Sequence, residues 1–317
     1  MAETIELVAE VPAELSGSRL DQVAAQLFPD YSRARLQLWI KSGELTVDGK
    51  TSKNREKLLS GAQLVLKAEV ENEERWIAED IDLDIIYEDE ALLVLNKPAG
   101  LVVHPAAGHA SGTLLNALLA HCPDLASVPR AGIVHRLDKD TTGLMVVAKT
   151  LQAQNSLVNQ LQNRTVSREY EAIVAGTMTG GGTVKADLGR HPRQRQKMAV
   201  VTLGGKEAIT HYRLIKRFNS HCHIRCMLET GRTHQIRVHM AHIKHPLVGD
   251  QMYAGRPKIP KGASEELING LRDFGRQALH ARRLSLIHPE TDEEVSWEVP
   301  LVDDMVALLA LLQQEDS

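Results

Sequence analysis

The chain has 317 residues, 43% of them apolar and 25% charged, with 37 Lys and Arg against 41 Asp and Glu. That length serves about two domains with a sizeable core and excludes both a disordered tail and a disulfide-knotted miniprotein. The longest apolar runs, such as Ala91–Leu95 and Leu144–Ala148, fall far short of the roughly 20 residues that cross a bilayer. Met1–Glu14 carries acids where a secretory signal has a basic start, so the expectation is a cytoplasmic protein with no membrane segment. The three cysteines, Cys122, Cys222 and Cys226, form no C-x-x-C pair and indicate neither a disulfide framework nor a thiolate metal cage.

The net charge of -4 hides a segregation. Gly17–Lys67 holds nine Lys and Arg against five acids, Glu69–Glu90 one Arg against eleven acids, and Arg190–Lys244 twelve Lys and Arg against Glu207 and Glu229. A basic N-terminal unit and a basic stripe separated by an acidic connector fit a protein that binds a polyanion such as RNA. An ordinary solvated surface gives charge runs as well, so charge alone does not decide.

In chain order, Leu20, Val23, Ala24 and Leu27 stand at helical spacing within Arg19–Phe28. After a turn at Pro29-Asp30, Ser32 can cap a second helix running to about Lys41, with Arg33 and Arg35 on its exposed edge. Gly43 closes that helix, Glu44–Lys50 alternates like a strand with a turn at Asp48-Gly49, and a second strand covers Gln63–Lys67. Arg19-Leu20-Asp21, Ser32-Arg33 and Val47-Asp48-Gly49 resemble the S4 RNA-binding domain, with Gly61-Ala62 where that module usually has Gly-Asp. The expected organisation is therefore an S4-like RNA-binding domain over residues 1–75 with its core at 17–67, an acidic linker to about residue 84, and a larger domain over 85–317.

The larger region alternates strands and helices. Thr113–His121 and Thr150–Asn163 read as helices with Thr caps, and strands are expected at Leu144–Lys149, Glu169–Ala175, Ala208–Lys216 and His221–Leu228. In the last, Cys222, Ile224, Cys226 and Leu228 alternate with His223, Arg225 and Met227, which predicts one buried face and one basic face. Strands that follow one another without regular crossover helices favour an α+β domain on a mixed, mostly antiparallel sheet. Tyr253–Gly275, rich in Pro, Gly and Lys, reads as a loop on the substrate side.

The most specific segment is Gly132–Leu144, a short apolar strand and a polar loop that presents His135, Arg136, Asp138 and Thr142. An isolated Arg-Leu-Asp is most often a loop cap or a surface ion pair. Tyr170, between Glu169 and Glu171 in a strand, reads alone as core. Arg237 reads alone as a helix surface residue. His239, His242 and His245 have metal-like spacing, but the neighbouring acids are scattered, so no metal site and no cofactor are expected. Asp138 with Asp140 leaves open a magnesium-dependent nuclease, and the charge pattern by itself leaves open a non-catalytic RNA binder.

Four segments taken together narrow this. Asn96–Pro105, His135–Gly143, Arg168-Glu169-Tyr170 and Gly231–Arg237 resemble, in order, the motifs of the pseudouridine synthases of the RluA type. With the S4-like module, the resemblance is to members that act on large-subunit ribosomal RNA. Free RNA and a pre-ribosomal particle both stay open as the substrate, and nothing in the sequence demands more than a monomer. It implies that a uridine is turned out of the RNA, its N-glycosidic bond breaks, and C5 is joined to C1′. Asp138 is then the nucleophile at C6 or C1′, Arg237 the cation beside it, and Tyr170 a stacking partner and acid or base at C5. Arg136 beside His135 would fill the gap left by the base. Arg232, His234 and the run Arg193, Arg195 and Lys197 would join Arg33 and Arg35 in holding phosphates.

Overall fold

Apolar residues at helical spacing, set between strand-period stretches, build the first unit. The structure, a computed structural model, describes residues 3–28, 31, 33–70, 76–105, 111–194 and 196–316. The expected turn at Pro29-Asp30, the Ser32 cap and Arg195 lie outside the described residues, as do residues 71–75 of the acidic stretch. The chain divides into two compact units, Met1–Trp76 and Ile77–Ser317.

In the first unit, β1 (Glu3–Glu10), α1 (Leu20–Leu27), α2 (Arg33–Ser42), β2 (Leu45–Val47) and β3 (Gln63–Val70) follow in order. The sheet runs β1-β3-β2, antiparallel throughout. Its core joins Leu20, Val23 and Ala24 of α1 to Leu36, Trp39 and Ile40 of α2 and to Leu64 and Leu66 of β3. Strand β1 is an addition to the sequence reading. Ile5, Leu7 and Ala9 alternate with charged or exposed residues and pack on that core, the period-2 pattern of a half-buried strand. The turn after β2 is as expected, with Asp48 at φ 49° and Gly49 at φ 74°.

The second unit contains β4 (Ile85–Glu88), β5 (Leu92–Lys97), α3 (Leu114–His121), β6 (Thr142–Ala148), α4 (Leu151–Gln162), β7 (Ser167–Ala175), β8 (Gly182–Lys185), β9 (Leu188–Arg190) and β10 (Met198–Val200). It continues with β11 (Ile209–Arg217), β12 (His221–Leu228), α5 (Gln235–His242), α6 (Glu265–Asp273), β13 (Leu279–Ile287), β14 (Glu294–Glu298) and α7 (Asp303–Glu315). The main sheet runs β4-β5-β6-β13-β7-β12-β11-β8, with β14 on β13 and β9-β10 forming a separate ribbon. Only β6 and β13 pair in parallel, so the sheet is mixed and mostly antiparallel, as the spacing predicts. β6 is buried at all seven positions, which explains its unbroken apolar run. Thr150 caps α4 by accepting from the Ala153 N–H at 3.1 Å, a contact of about 1 kcal/mol.

Four details depart from the sequence reading. The stretch from Ile77 is no free linker: Asn116 of α3 donates to the Ile77 carbonyl at 2.8 Å, and Glu79 accepts from the Gly112 N–H at 3.0 Å. The expected strand at Ile133 is a single bridge to Val147 after a turn in which Arg130, Ala131 and Gly132 all have positive φ. β12 has no bare basic face. His223 is buried against Glu171 at 2.8 Å, and Arg225 lies 3.5 Å from Glu169, because β7 brings acids opposite those bases. Finally, Tyr253–Gly275 includes α6, capped by Ser264 and packed through Leu267 and Leu271 against Met305, Leu308 and Leu312 of α7.

Candidate active site

The loop that carries Asp138 is pinned from several sides. Lys97, at the end of β5 and only 1% exposed, donates to the carbonyls of Pro98, Leu101 and Lys139 at 2.7, 3.0 and 2.8 Å. Burial pulls its pKa down to about 8, against the pull of Asp140 and Asp138 in the other direction. Gln277 donates to Thr141 Oγ1 at 3.0 Å and Arg276 to the Asp140 carbonyl at 3.2 Å. Past the loop, Gly143 has φ 110°, and a Cβ there would sit 2.3 Å from the Ala281 carbonyl oxygen. Only glycine lets β6 close onto β13 at that point.

Arg237, on the first turn of α5, spans two carboxylates. Its Nη1 donates to Asp138 Oδ2 at 2.9 Å, while Nε and Nη2 grip Asp250 Oδ2 and Oδ1 at 2.7 and 2.9 Å. Burial opposes the guanidinium's charge, but the Asp250 and Asp138 carboxylates outweigh it and raise the pKa above its ordinary value. Asp250 is fully covered and also accepts from the Met252 and Tyr253 N–H groups through Oδ1. Asp138 keeps Oδ1 clear of hydrogen bonds among the described residues, with His234 Nε2 3.8 Å away. His234 is a left-handed residue, φ 56°, at the N-cap of α5, and its Nδ1 lies 2.7 Å from the Tyr253 hydroxyl. Burial lowers its pKa, with Asp138 pulling the other way.

Asp138, His234 and Arg237 line a cavity of about 570 Å³, of a size to admit a nucleotide base with its sugar. Tyr170 of β7 borders the same cavity and is 6% exposed. Burial raises its phenol above the ordinary value, while Arg168 pulls it down and Asp138 adds to the rise. Asp138, Tyr170 and Arg237, far apart in the sequence, thus meet at one opening, and Arg237 is a buried residue of a helix rather than a surface one. Arg136, Arg232 and His234 border the cavity as well, Arg136 exposed and Arg232 donating to the Glu207 carbonyl at 3.0 Å.

His135, expected beside Arg136 as an RNA contact, is engaged by the protein instead. Its ring turns inward so that Nε2 accepts from the Val146 N–H at 3.1 Å, and burial, with Arg168, pushes its pKa down to about 3. A neutral ring used as an acceptor offers no charge to RNA. In the first unit, Arg33 donates to the buried Asp21 at 2.7 Å and Arg35 lies over the Trp39 ring at 5.3 Å. Arg193 and Lys197 sit on the turn between β9 and β10, Arg193 exposed and Lys197 half-buried, and neither lines the cavity. The expected metal-like histidines are engaged by protein, His239 with Thr210 Oγ1 and the Ala186 carbonyl, and His245 with the Ala175 carbonyl.

Sequence reasoning left four site residues without a role: Lys97, Arg168, Asp250 and Tyr253. Lys97 and Arg168 stand inside quoted motifs, so their signal was present. Asp250 was one of several scattered acids, and its pairing exists only once α5 and the following turn are folded together.

Residues 91–242 match the family model described as RNA pseudouridylate synthase, and residues 18–64 match the S4 domain. The chain is 64% identical over 315 residues to "Ribosomal large subunit pseudouridine synthase D" of Pseudomonas aeruginosa, covering 99% of this chain and 98% of that protein. It is 55% identical over 316 residues to the protein of the same name from Escherichia coli strain K12, covering 99% and 97%. Among solved structures it resembles "Human RNA Pseudouridylate Synthase Domain Containing 4", with 26% identity, a TM-score of 0.58, and coverage of 72% of this chain and 92% of that one. The chain belongs to the RNA pseudouridylate synthase family, and it carries an S4 domain ahead of the catalytic fold.

Proposed function

We propose that this enzyme converts specific uridines of bacterial large-subunit ribosomal RNA to pseudouridine, with Asp138 as nucleophile. The observation that carries the reading is the arrangement Asp250–Arg237–Asp138, in which a guanidinium held by Asp250 binds one oxygen of Asp138, a residue that lines a cavity with room for a nucleotide, and leaves the other oxygen without a hydrogen bond among the described residues. The names of the relatives point to the same substrate class. The reaction is an isomerisation: the N1–C1′ bond breaks, the uracil turns over, C5 bonds to C1′, and the C5 proton leaves as N1 gains one. Attack by Asp138 Oδ1 at C6 of the base or at C1′ of the sugar splits that change into two smaller steps. Tyr170 stacks on the base and serves proton transfer at C5 through its phenol.

Turning the uridine out of a stem or loop costs a few kcal/mol. Arg136, exposed at the cavity mouth, offsets this by taking the vacated place. Arg232, His234, Arg193 and Lys197 meet the flanking phosphates, and the first unit, with Arg33 and Arg35, holds a separate part of the RNA. The division into an RNA-binding part over residues 1–75 and a catalytic part over 85–317 follows from these roles. The enzyme acts as a monomer in the cytoplasm, on free ribosomal RNA or on an assembling particle. No helix among the described residues is long and apolar enough to cross a membrane. A map of pseudouridines in ribosomal RNA from cells with and without the gene tests the reading: sites in large-subunit RNA that vanish with the gene and return with wild type, but not with Asp138→Asn, are expected. An unchanged map rejects it.

A further inference from the structure

Six arginines line the active-site cavity, and five of them are accounted for. Arg237 is held by Asp250 and Asp138, Arg164 by Glu207 and Glu229, and Arg232 by the Glu207 carbonyl. Arg130 and Arg136 are exposed and keep their hydration. Arg168 differs from all of these. It is only 8% exposed, its Nε is sealed from solvent with no partner, and no carboxylate pairs with it among the described residues. A guanidinium drawn this far out of water without a counter-charge is costly to keep in the free protein. His135 and the Tyr170 phenol lie within reach of its charge, which adds to the effect of burial on the first and opposes it on the second.

Arg168 and Tyr170 are two residues apart on β7, so their backbones are about 7 Å apart and their side chains project to the same face. Both border the cavity, so a nucleotide whose base lies on Tyr170 would run its backbone along the wall that Arg168 forms. Gly231 stands across from it, where a Cβ would come within 2.6 Å of Arg168 Nη1, so the glycine leaves that end of the side chain room. A planar fork with a full charge matches the oxygens of a phosphodiester better than a neutral uracil carbonyl.

We propose that Arg168 binds a phosphate flanking the extruded uridine, supplying from inside the cavity the counter-charge that the free protein lacks. The inference rests on the proposed function, and it makes Arg168 a binding residue in the same site. It accounts for an unpaired buried charge as a group kept ready for a ligand, at the expense of stability in its absence.

The test uses a stem-loop RNA carrying a uridine identified by the pseudouridine map, with an uncharged methylphosphonate on its 5′ or its 3′ side. Affinities are measured in the Asp138→Asn background so that the RNA is not turned over. With Arg168 present, removing the charge at one of the two positions should weaken binding about tenfold. With Arg168→Met the same replacement should cost less than about twofold, and Arg168→Lys should keep the response. The free Arg168→Met protein should melt at or above the wild-type temperature, because a costly charge is gone. A methylphosphonate penalty of the same size in Arg168→Met overturns the inference. So does a lower melting temperature, which marks a structural arginine. Unchanged binding with a slowed single-turnover rate assigns Arg168 to the uracil and overturns the phosphate role. A wild type that forms no pseudouridine rejects the proposed function itself, which these outcomes leave standing.

Discussion

Each unit of this protein is organised around a cluster of arginine and aspartate, and the two clusters are built the opposite way round. In the first unit the hub is a carboxylate: Asp21, fully buried, accepts from Arg19, Arg33 and Gln37. In the second the hub is a cation: Arg237, 8% exposed, is shared by Asp250 and Asp138. In both cases the hub is a buried charge whose partners of opposite sign or hydrogen-bonding groups outnumber it. What differs is the charge left over at the surface. Two cations around one carboxylate leave a net positive rim, with Arg19 and Arg33 38% and 46% exposed, suited to a phosphate backbone. Two carboxylates around one cation leave a negative group at the cavity, Asp138 at 18% exposure against 0% for Asp250. The same interaction thus leaves exposed cations in one unit and a partly exposed carboxylate at a cavity in the other.

The sharpest way to break this comparison is at the exposed carboxylate. Asp138→Asn keeps a side chain of the same shape, so RNA affinity should change less than about threefold while product falls below detection, a loss of at least about 10⁴ in rate. Residual turnover near the wild-type level would remove Asp138 from the chemistry. At the buried carboxylate the effect should be smaller. Asp250→Asn loses the negative charge that grips Arg237 but retains an oxygen, and a guanidinium displaced by an ångström costs about 10² in single-turnover rate. Because Asp250 touches no substrate in this scheme, KM should stay within about twofold, and Asp250→Glu should restore part of the rate. A change confined to KM would place Asp250 in binding instead.

How much of this was legible in the sequence divides along the same line. The local parts were readable: the helices of the first unit, the strands β6, β7, β11 and β12, and the motifs whose residues Asp138, Tyr170 and Arg237 the fold brings to one cavity, because motif and period are carried by neighbours in the chain. The supporting contacts were not. Asp250 stands 13 residues from Arg237 in a turn, and nothing in its spacing marks it as a partner. His135 was expected to face RNA from its place beside Arg136 in the motif, and its actual partner, the Val146 N–H, lies on β6, eleven residues further along the chain. The basic face expected on β12 failed for a related reason, since strand alternation gives a face but not the acids that the adjacent strand sets against it.

In the first unit, Asp21→Ala should release the two arginines and leave Gln37 without its acceptor. Because both guanidiniums reach solvent, the cost should be modest, about 1–3 kcal/mol of that unit's stability. RNA affinity should fall by up to about tenfold while the chemical step on bound RNA is unchanged. Calorimetry and single-turnover assays at saturating enzyme separate the two. Burial opposes the Asp21 charge, but hydrogen bonds from Arg33, Gln37 and Arg19 prevail and lower its pKa below 3.8. Its contribution is therefore complete above the unfolded value and is lost only as pH falls through the lower folded one. Loss of this unit's stability beginning well above pH 4 would have another cause.

The smallest expected effect concerns Lys97, which joins β5 to the loop behind Asp138. Three carbonyls around one ammonium use all three of its N–H bonds, and loss of a proton leaves one carbonyl without a donor. With the pKa drawn down to about 8 by burial, the single-turnover rate should decline about two- to threefold as pH rises through that value. Stability should move the other way. A lysine whose pKa is lower folded than unfolded sheds its proton first in the native state, so unfolding becomes less favourable between about 8 and the ordinary 10.5. A falling rate alongside a steady or rising melting temperature is the signature of a loop that loosens locally. If rate and melting temperature fall together over that interval, Lys97 is not the group responsible, and the loop owes its position to Gln277 and Arg276 instead.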